Sequence, residues 1–93
     1  MYVILVYDIK MDDGGPRVLR RVFKICKRYL SHVQKSVFEG ELTAAKLAAL
    51  KRELKKWIRE DKDSLIVFHS LNKRWLKKEF WGINESEKTS NFF

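Results

Sequence analysis

Three carboxylates gather near one end of the chain. Asp8 closes the apolar run Tyr2–Tyr7, and Asp12 and Asp13 follow it, just before Gly14-Gly15-Pro16. Carboxylate oxygens are the ligands that Mg²⁺ takes, and the ion keeps several of its waters when bound this way. Metal-assisted phosphodiester cleavage usually draws on more than one such carboxylate. Asp8 stands at the end of a predicted strand, whereas Asp12 and Asp13 fall in a loop. One chain therefore supplies a single well-placed acid, and a second copy of Asp8 across a twofold axis would supply another. The structural alternative is that Asp8 caps a turn and Asp13 caps the helix that begins near Pro16. Spacing alone favours that alternative.

A second chemistry comes from cations. No acid occurs between Pro16 and Phe38, yet Arg17, Arg20, Arg21, Lys24, Lys27, Arg28 and Lys35 all lie there. On helical spacing the first six sit opposite an apolar stripe of Val18, Leu19, Val22, Phe23, Ile25, Cys26, Tyr29 and Leu30. Solvated helices ordinarily mix both signs, so this single-signed face suits a row of phosphates without base readout. The formal charge of +8 points the same way, toward a polyanion such as nucleic acid. A merely solubilising basic surface is the competing reading. Lys73, Arg74, Lys77 and Lys78 extend the patch if the fold brings them to the same side.

Other candidates are weaker. Tyr2, Tyr7, Phe38 and Phe68 can stack bases, but strand aromatics more often fill a core. The segment Ser64–Leu71 lacks the glycines and leading cation of an RNA-recognition strand. His32 and His69 have no second ligand at metal spacing. Cys26 is the sole cysteine, which rules out an intrachain disulfide and fits a reducing cytoplasm. No segment approaches the roughly 20 apolar residues that span a bilayer, so no membrane partner is expected.

The elements that must position these residues follow from periodicity. Ninety-three residues form one domain, expected over 1–82, with a tail over 83–93. Tyr2–Asp8 reads as a strand buried on both faces and Pro16–Leu30 as a helix with proline in its first turn. His32–Phe38 reads as a single strand. Leu42–Ile58 is a second helix with Thr43 as its N-cap, packed through Leu42, Ala45, Leu47, Leu50, Leu54, Trp57 and Ile58. Asp61–Asp63 is a polar turn, Ser64–Leu71 a third strand and Trp75–Trp81 a fourth. The order read this way is β-α-β-α-β-β. Four strands and two helices make an α+β two-layer sandwich, with the helices on one face of an antiparallel sheet. The open face would then expose apolar residues, and a sheet-to-sheet homodimer would cover them. The tail, ending Phe92-Phe93, could add an edge strand to the partner.

Taken together, Tyr7-Asp8-Ile9, the helix with Arg17, Arg21, Val22, Cys26 and Tyr29-Leu30, and above all His32-Val33-Gln34-Lys35-Ser36-Val37-Phe38-Glu39-Gly40 resemble a known family. It is the CRISPR-associated endoribonuclease family, the small "Cas two" proteins of spacer acquisition, and the likeness runs over nearly the whole chain. The resemblance implies a ferredoxin-like fold in the order β-α-β-β-α-β, with a short edge piece hidden between Phe38 and Leu42. It implies a homodimer in which Asp8 pairs with its mate as the catalytic, metal-binding carboxylate. It also implies a role in capturing double-stranded DNA with the integrase partner, "Cas one". Members cleave single-stranded RNA or double-stranded DNA with Mg²⁺ in some cases and not in others. Two functions therefore stand open: a Mg²⁺-dependent nuclease using Asp8, and a DNA-binding adaptor whose contacts come from Arg17, Arg20, Arg21, Lys24 and Lys35.

Overall fold

The computed structural model describes residues 1–72, 77 and 79–82. In them the elements run β1 (Tyr2–Asp8), α1 (Gly15–Tyr29), β2 (Ser31–Gln34), β3 (Val37–Glu41), α2 (Ala44–Lys55) and β4 (Ser64–Ser70). The sheet order is β2-β3-β1-β4, and every neighbouring pair is antiparallel. This is the ferredoxin-like α+β plan, in which both helices lie on one face of the sheet.

One expectation from the residue pattern is corrected. His32–Phe38 is not a single strand but a hairpin, turning at Lys35-Ser36. Two-residue hairpin turns usually announce themselves with Asn-Gly or Asp-Gly, because both central residues favour a positive φ. Here Lys35 itself takes φ 36°, a left-handed conformation that costs a non-glycine residue energy. The Nε2 of His32 lies 2.7 Å from the Lys35 carbonyl and helps to hold the turn. The hairpin supplies the strand missing from the β-α-β-α-β-β reading. The strand expected over Trp75–Trp81 lies largely outside the described residues, and residues 77 and 79–81 belong to no element. The proposed tail strand over 83–93 lies wholly outside them.

β1 explains how a one-sided layer is built. Val3, Leu5 and Tyr7 point to the helices and are buried. They meet Val18, Val22, Ile25 and Cys26 of α1, Leu50 and Leu54 of α2, and Phe38 of β3. The intervening Ile4, Val6 and Asp8 face the open side. There Ile4 pairs with Phe68 and Val6 with Ile66, the two large apolar residues of β4 that stay about half exposed, at 57% and 52%. The open face thus carries an apolar strip that ends at Asp8. In α2, Thr43 is the N-cap, its hydroxyl accepting from the Lys46 amide at 3.1 Å. Ala45, expected on the packed side, is exposed. Among the described residues no helix is long and apolar enough to cross a membrane.

The start of α1 is set by a close approach rather than by a side-chain cap. Its N-cap is Gly14, so Asp13 does not take the capping role open to it. Gly15 lies buried under the preceding loop, where a Cβ would come within 2.3 Å of the Lys10 carbonyl oxygen. That neighbour is backbone and cannot swing aside. Gly15→Ala is expected to destabilise the fold by about 1–3 kcal/mol. Gly14→Ala should be milder, because its nearest neighbour, Nη1 of Arg59 at 3.3 Å, need give only a few tenths of an ångström. Thermal melts of the two variants, side by side, check this ordering.

Candidate nucleic-acid interface and carboxylate site

Asp8 is the last residue of β1 and pairs with Ser64, the first of β4. It is exposed, on the same face as Ile4 and Val6. Among the described residues its carboxylate makes no hydrogen bond or ion pair, so its oxygens remain open to an outside partner.

The other two loop acids are not alike. Asp12 is held by Arg59, whose Nη1 lies 2.5 Å from Oδ1, and by Lys62 Nζ at 3.2 Å from Oδ2. Asp13 is exposed in the turn before α1. The centre of this region is Arg59 itself. Its Nε and Nη2 both donate at 2.9 Å to the carboxylate of Asp63, and Nη2 also donates to the Lys10 carbonyl at 2.8 Å. The Asp63 carboxylate in turn accepts from the backbone amides of Lys10 and Arg59. The side chain of Asp63 is wholly buried. Every lone pair it needs to place is therefore used, as a buried charge requires. One guanidinium thereby ties the loop after Asp8 to the connector between α2 and β4. The polar turn Asp61–Asp63 gave no hint of this, because the cluster's other half, Lys10 and Asp12, lies about fifty residues away along the chain.

A divalent cation would find limited support in a single chain. Among the described residues no group of three His, Cys, Asp or Glu side chains is placed to hold a metal ion. Asp8 offers one carboxylate, and the donor set fits Mg²⁺ only if a second copy contributes another.

The predicted cations divide into two sets. Arg20, Lys24 and Lys35 border one groove, floored by Tyr7, Leu19 and Phe23, with Ser36 at its side. The hairpin turn is what brings Lys35 to α1. Arg17 and Arg21, both on the same face of α1, reach toward the end of α2, and Lys24 borders the groove there as well. The Cζ atoms of the two arginines sit 5.4 Å and 5.0 Å from the ring centroid of Trp57. All five are exposed, and none has an acidic partner among the described residues. Arg28 differs, being paired with Glu53, which also accepts from the Tyr29 hydroxyl. Of the cations expected to extend the patch, Lys73, Arg74 and Lys78 lie outside the described residues. The strand aromatics resolve mostly as core, with Tyr2, Tyr7 and Phe38 buried and Phe68 open. Trp57 is the functional candidate that periodicity conceals, since it reads there as one more packed residue of the second helix.

Element order and strand order place the chain among ferredoxin-like α+β proteins, a class that hosts many functions. Comparison with known proteins narrows it. Residues 1–78 match the family model described as CRISPR associated protein Cas2. A CRISPR-associated endoribonuclease Cas2 from Fusobacterium nucleatum subsp. nucleatum is 54% identical over 92 residues, covering 99% of this chain and 86% of that protein. A crystal structure of a Cas2 protein superposes with a TM-score of 0.79 at 38% identity, covering 92% of this chain and 91% of the other. Streptococcus pyogenes Cas2 does so with a TM-score of 0.72 at 33% identity, covering 86% and 100%. The chain belongs to the Cas2 family of CRISPR-associated proteins.

The Arg59 cluster has a pH signature. Its guanidinium holds the Asp63 carboxyl at about 2, below the ordinary 3.8, and pushes Asp12 down further still. A depressed carboxyl contributes stability in full above its unfolded-state value and loses it as pH falls toward the folded one. The wild-type melting temperature is therefore expected to drop between about pH 4 and pH 2. Asp63→Asn should lower the melting temperature at pH 7 by roughly 5 °C or more and flatten the acid-side dependence. Thermal melts across that range test both effects.

Proposed function

We propose that this Cas2-family chain acts in CRISPR spacer acquisition as a homodimer that holds double-stranded DNA by its phosphates, together with the integrase partner. The observation that carries this reading is the unbroken cationic face of α1. Arg17, Arg20, Arg21 and Lys24 are exposed with no acid between them, and Lys35 joins them from the hairpin. Such a face supplies sequence-independent affinity that falls with salt as counterions are released. Arg17→Ala with Arg21→Ala is expected to weaken duplex binding uniformly across sequences. It should also reduce the slope of log affinity against log salt by about 2 for each chain that loses both contacts. An unchanged slope would remove these two residues from the interface.

The homodimer is supported by the open side of the sheet. Ile4, Val6, Ile66 and Phe68 form an apolar strip there, and an uncovered strip of this kind is unusual on a lone soluble domain. Packing two such faces about a twofold axis covers the strip and draws the two Asp8 residues toward each other. Phe68→Lys is expected to shift the sedimenting species from dimer to monomer. A wild-type monomer at micromolar concentration would defeat the dimer.

A second activity, metal-dependent cleavage of RNA or DNA phosphodiesters, is favoured by one observation: Asp8 is uncommitted at the rim of that same strip. The Fusobacterium nucleatum relative of this chain is named an endoribonuclease. The two Asp8 carboxylates would hold Mg²⁺, which would polarise a phosphoryl oxygen and activate a water. This chain's own part is to fix Asp8 at a strand end and to keep Asp12 and Asp63 engaged with Arg59. Asp8→Asn is expected to abolish Mg²⁺-dependent cleavage of labelled RNA or duplex DNA while leaving duplex affinity intact. If cleavage persists in the variant, Asp8 is not its catalytic residue.

A further inference from the structure

We propose that Trp57 is a positioning residue for the nucleic-acid face, presenting the guanidinium groups of Arg17 and Arg21 to phosphates. The inference rests on the duplex-binding reading above and says how that face is organised.

Trp57 sits in the turn that ends α2, where its backbone amide donates to the Leu54 carbonyl at 3.0 Å. It is half-buried and packed against the core, so its indole is fixed. Arg17 and Arg21 are four residues apart on α1 and thus neighbours on one helix face. Both approach this one ring, at 5.4 Å and 5.0 Å, within cation–π range. The choice of an aromatic ring has a chemical consequence. A carboxylate would also hold an arginine, but it would neutralise the charge and occupy the N–H donors that a phosphate needs. A ring face restrains the flat of the guanidinium and leaves its charge and its edge donors free. The nearby acid is already used elsewhere: Glu53 is bound by Arg28 and the Tyr29 hydroxyl. Two long side chains are thereby ordered before any nucleic acid arrives, and the entropy of fixing them is not charged to binding.

The test is a double-mutant cycle on duplex DNA affinity, using the full chain and a short duplex of mixed sequence. Trp57→Leu is expected to weaken binding by about 5-fold. The salt slope should stay unchanged, since both cations still reach phosphate. Trp57→Tyr should restore most of the affinity. In the Arg17→Ala, Arg21→Ala background, Trp57→Leu should cost nothing further. A purely structural tryptophan would cost the same in both backgrounds, and that result overturns the proposal, as does a Trp57→Leu protein that binds at full strength. If the arginine variant itself binds like wild type, the duplex-binding reading of this face has failed instead. Should Trp57→Leu not fold, fluorinated tryptophans decide the matter, because they keep the shape of the ring while weakening its attraction for cations. Affinity should fall as fluorines are added to the wild type and stay level in a Trp57→Phe chain, where only Trp75 and Trp81 carry them. A level response in the wild type sinks the idea.

Discussion

Both helices lie on one side of the sheet, so every strand must serve two environments with alternate residues. This constraint decides most of what the molecule can do. On the helix side, Val3, Leu5 and Tyr7 complete a core with α1, α2 and Phe38. On the other side the same strand presents Ile4, Val6 and Asp8, and no element among the described residues covers them. An apolar strip that ends in an unpaired carboxylate is an awkward surface for a solitary domain. It becomes sensible once a second sheet is laid on it, because covering the strip and pairing the acids are then one event. The proposed cleavage chemistry and the proposed dimer are not separate properties in this architecture.

The proposed sheet-to-sheet dimer also bears on the proposed nucleic-acid face. If the proposed partner chain takes the open face, the exposed flank of α1 is what remains for the proposed polyanion, and its cations reach to both sides of the helix. One group reaches toward the β2–β3 hairpin, where Lys35 is held in a left-handed conformation, and the other toward Trp57. Arg28 is paired with Glu53, whereas Arg17, Arg20, Arg21, Lys24 and Lys35 have no acidic partner among the described residues.

Much of this was legible from residue order. The strand Tyr2–Asp8 is marked by its unbroken bulk, and α1 by a stripe of eight apolar residues against six cations. Thr43 declares the start of α2 through ordinary capping chemistry. The β2–β3 hairpin escaped because its turn is Lys35-Ser36, which carries none of the usual turn residues, while the alternation of flanking side chains runs straight through it. The Arg59 cluster escaped for another reason. It joins Lys10, Asp12 and Asp63 from two distant loops, and no periodicity reports a contact across fifty residues. Asp8 itself was legible as a position. What spacing could not show is that Asp12, one of its two apparent equals, is already bound by a guanidinium, which leaves Asp8 distinct from it.

Cys26 has a consequence of a different kind. It is the sole cysteine of the chain and it is fully buried in the core between α1 and the sheet. Burial pushes its thiol up to about 12, so the folded protein offers alkylating reagents neither access nor thiolate. Whatever reacts must be a molecule whose core has opened. The protein therefore carries its own clock for transient unfolding: the rate of thiol labelling reads how often α1 lifts from the sheet, with no added probe.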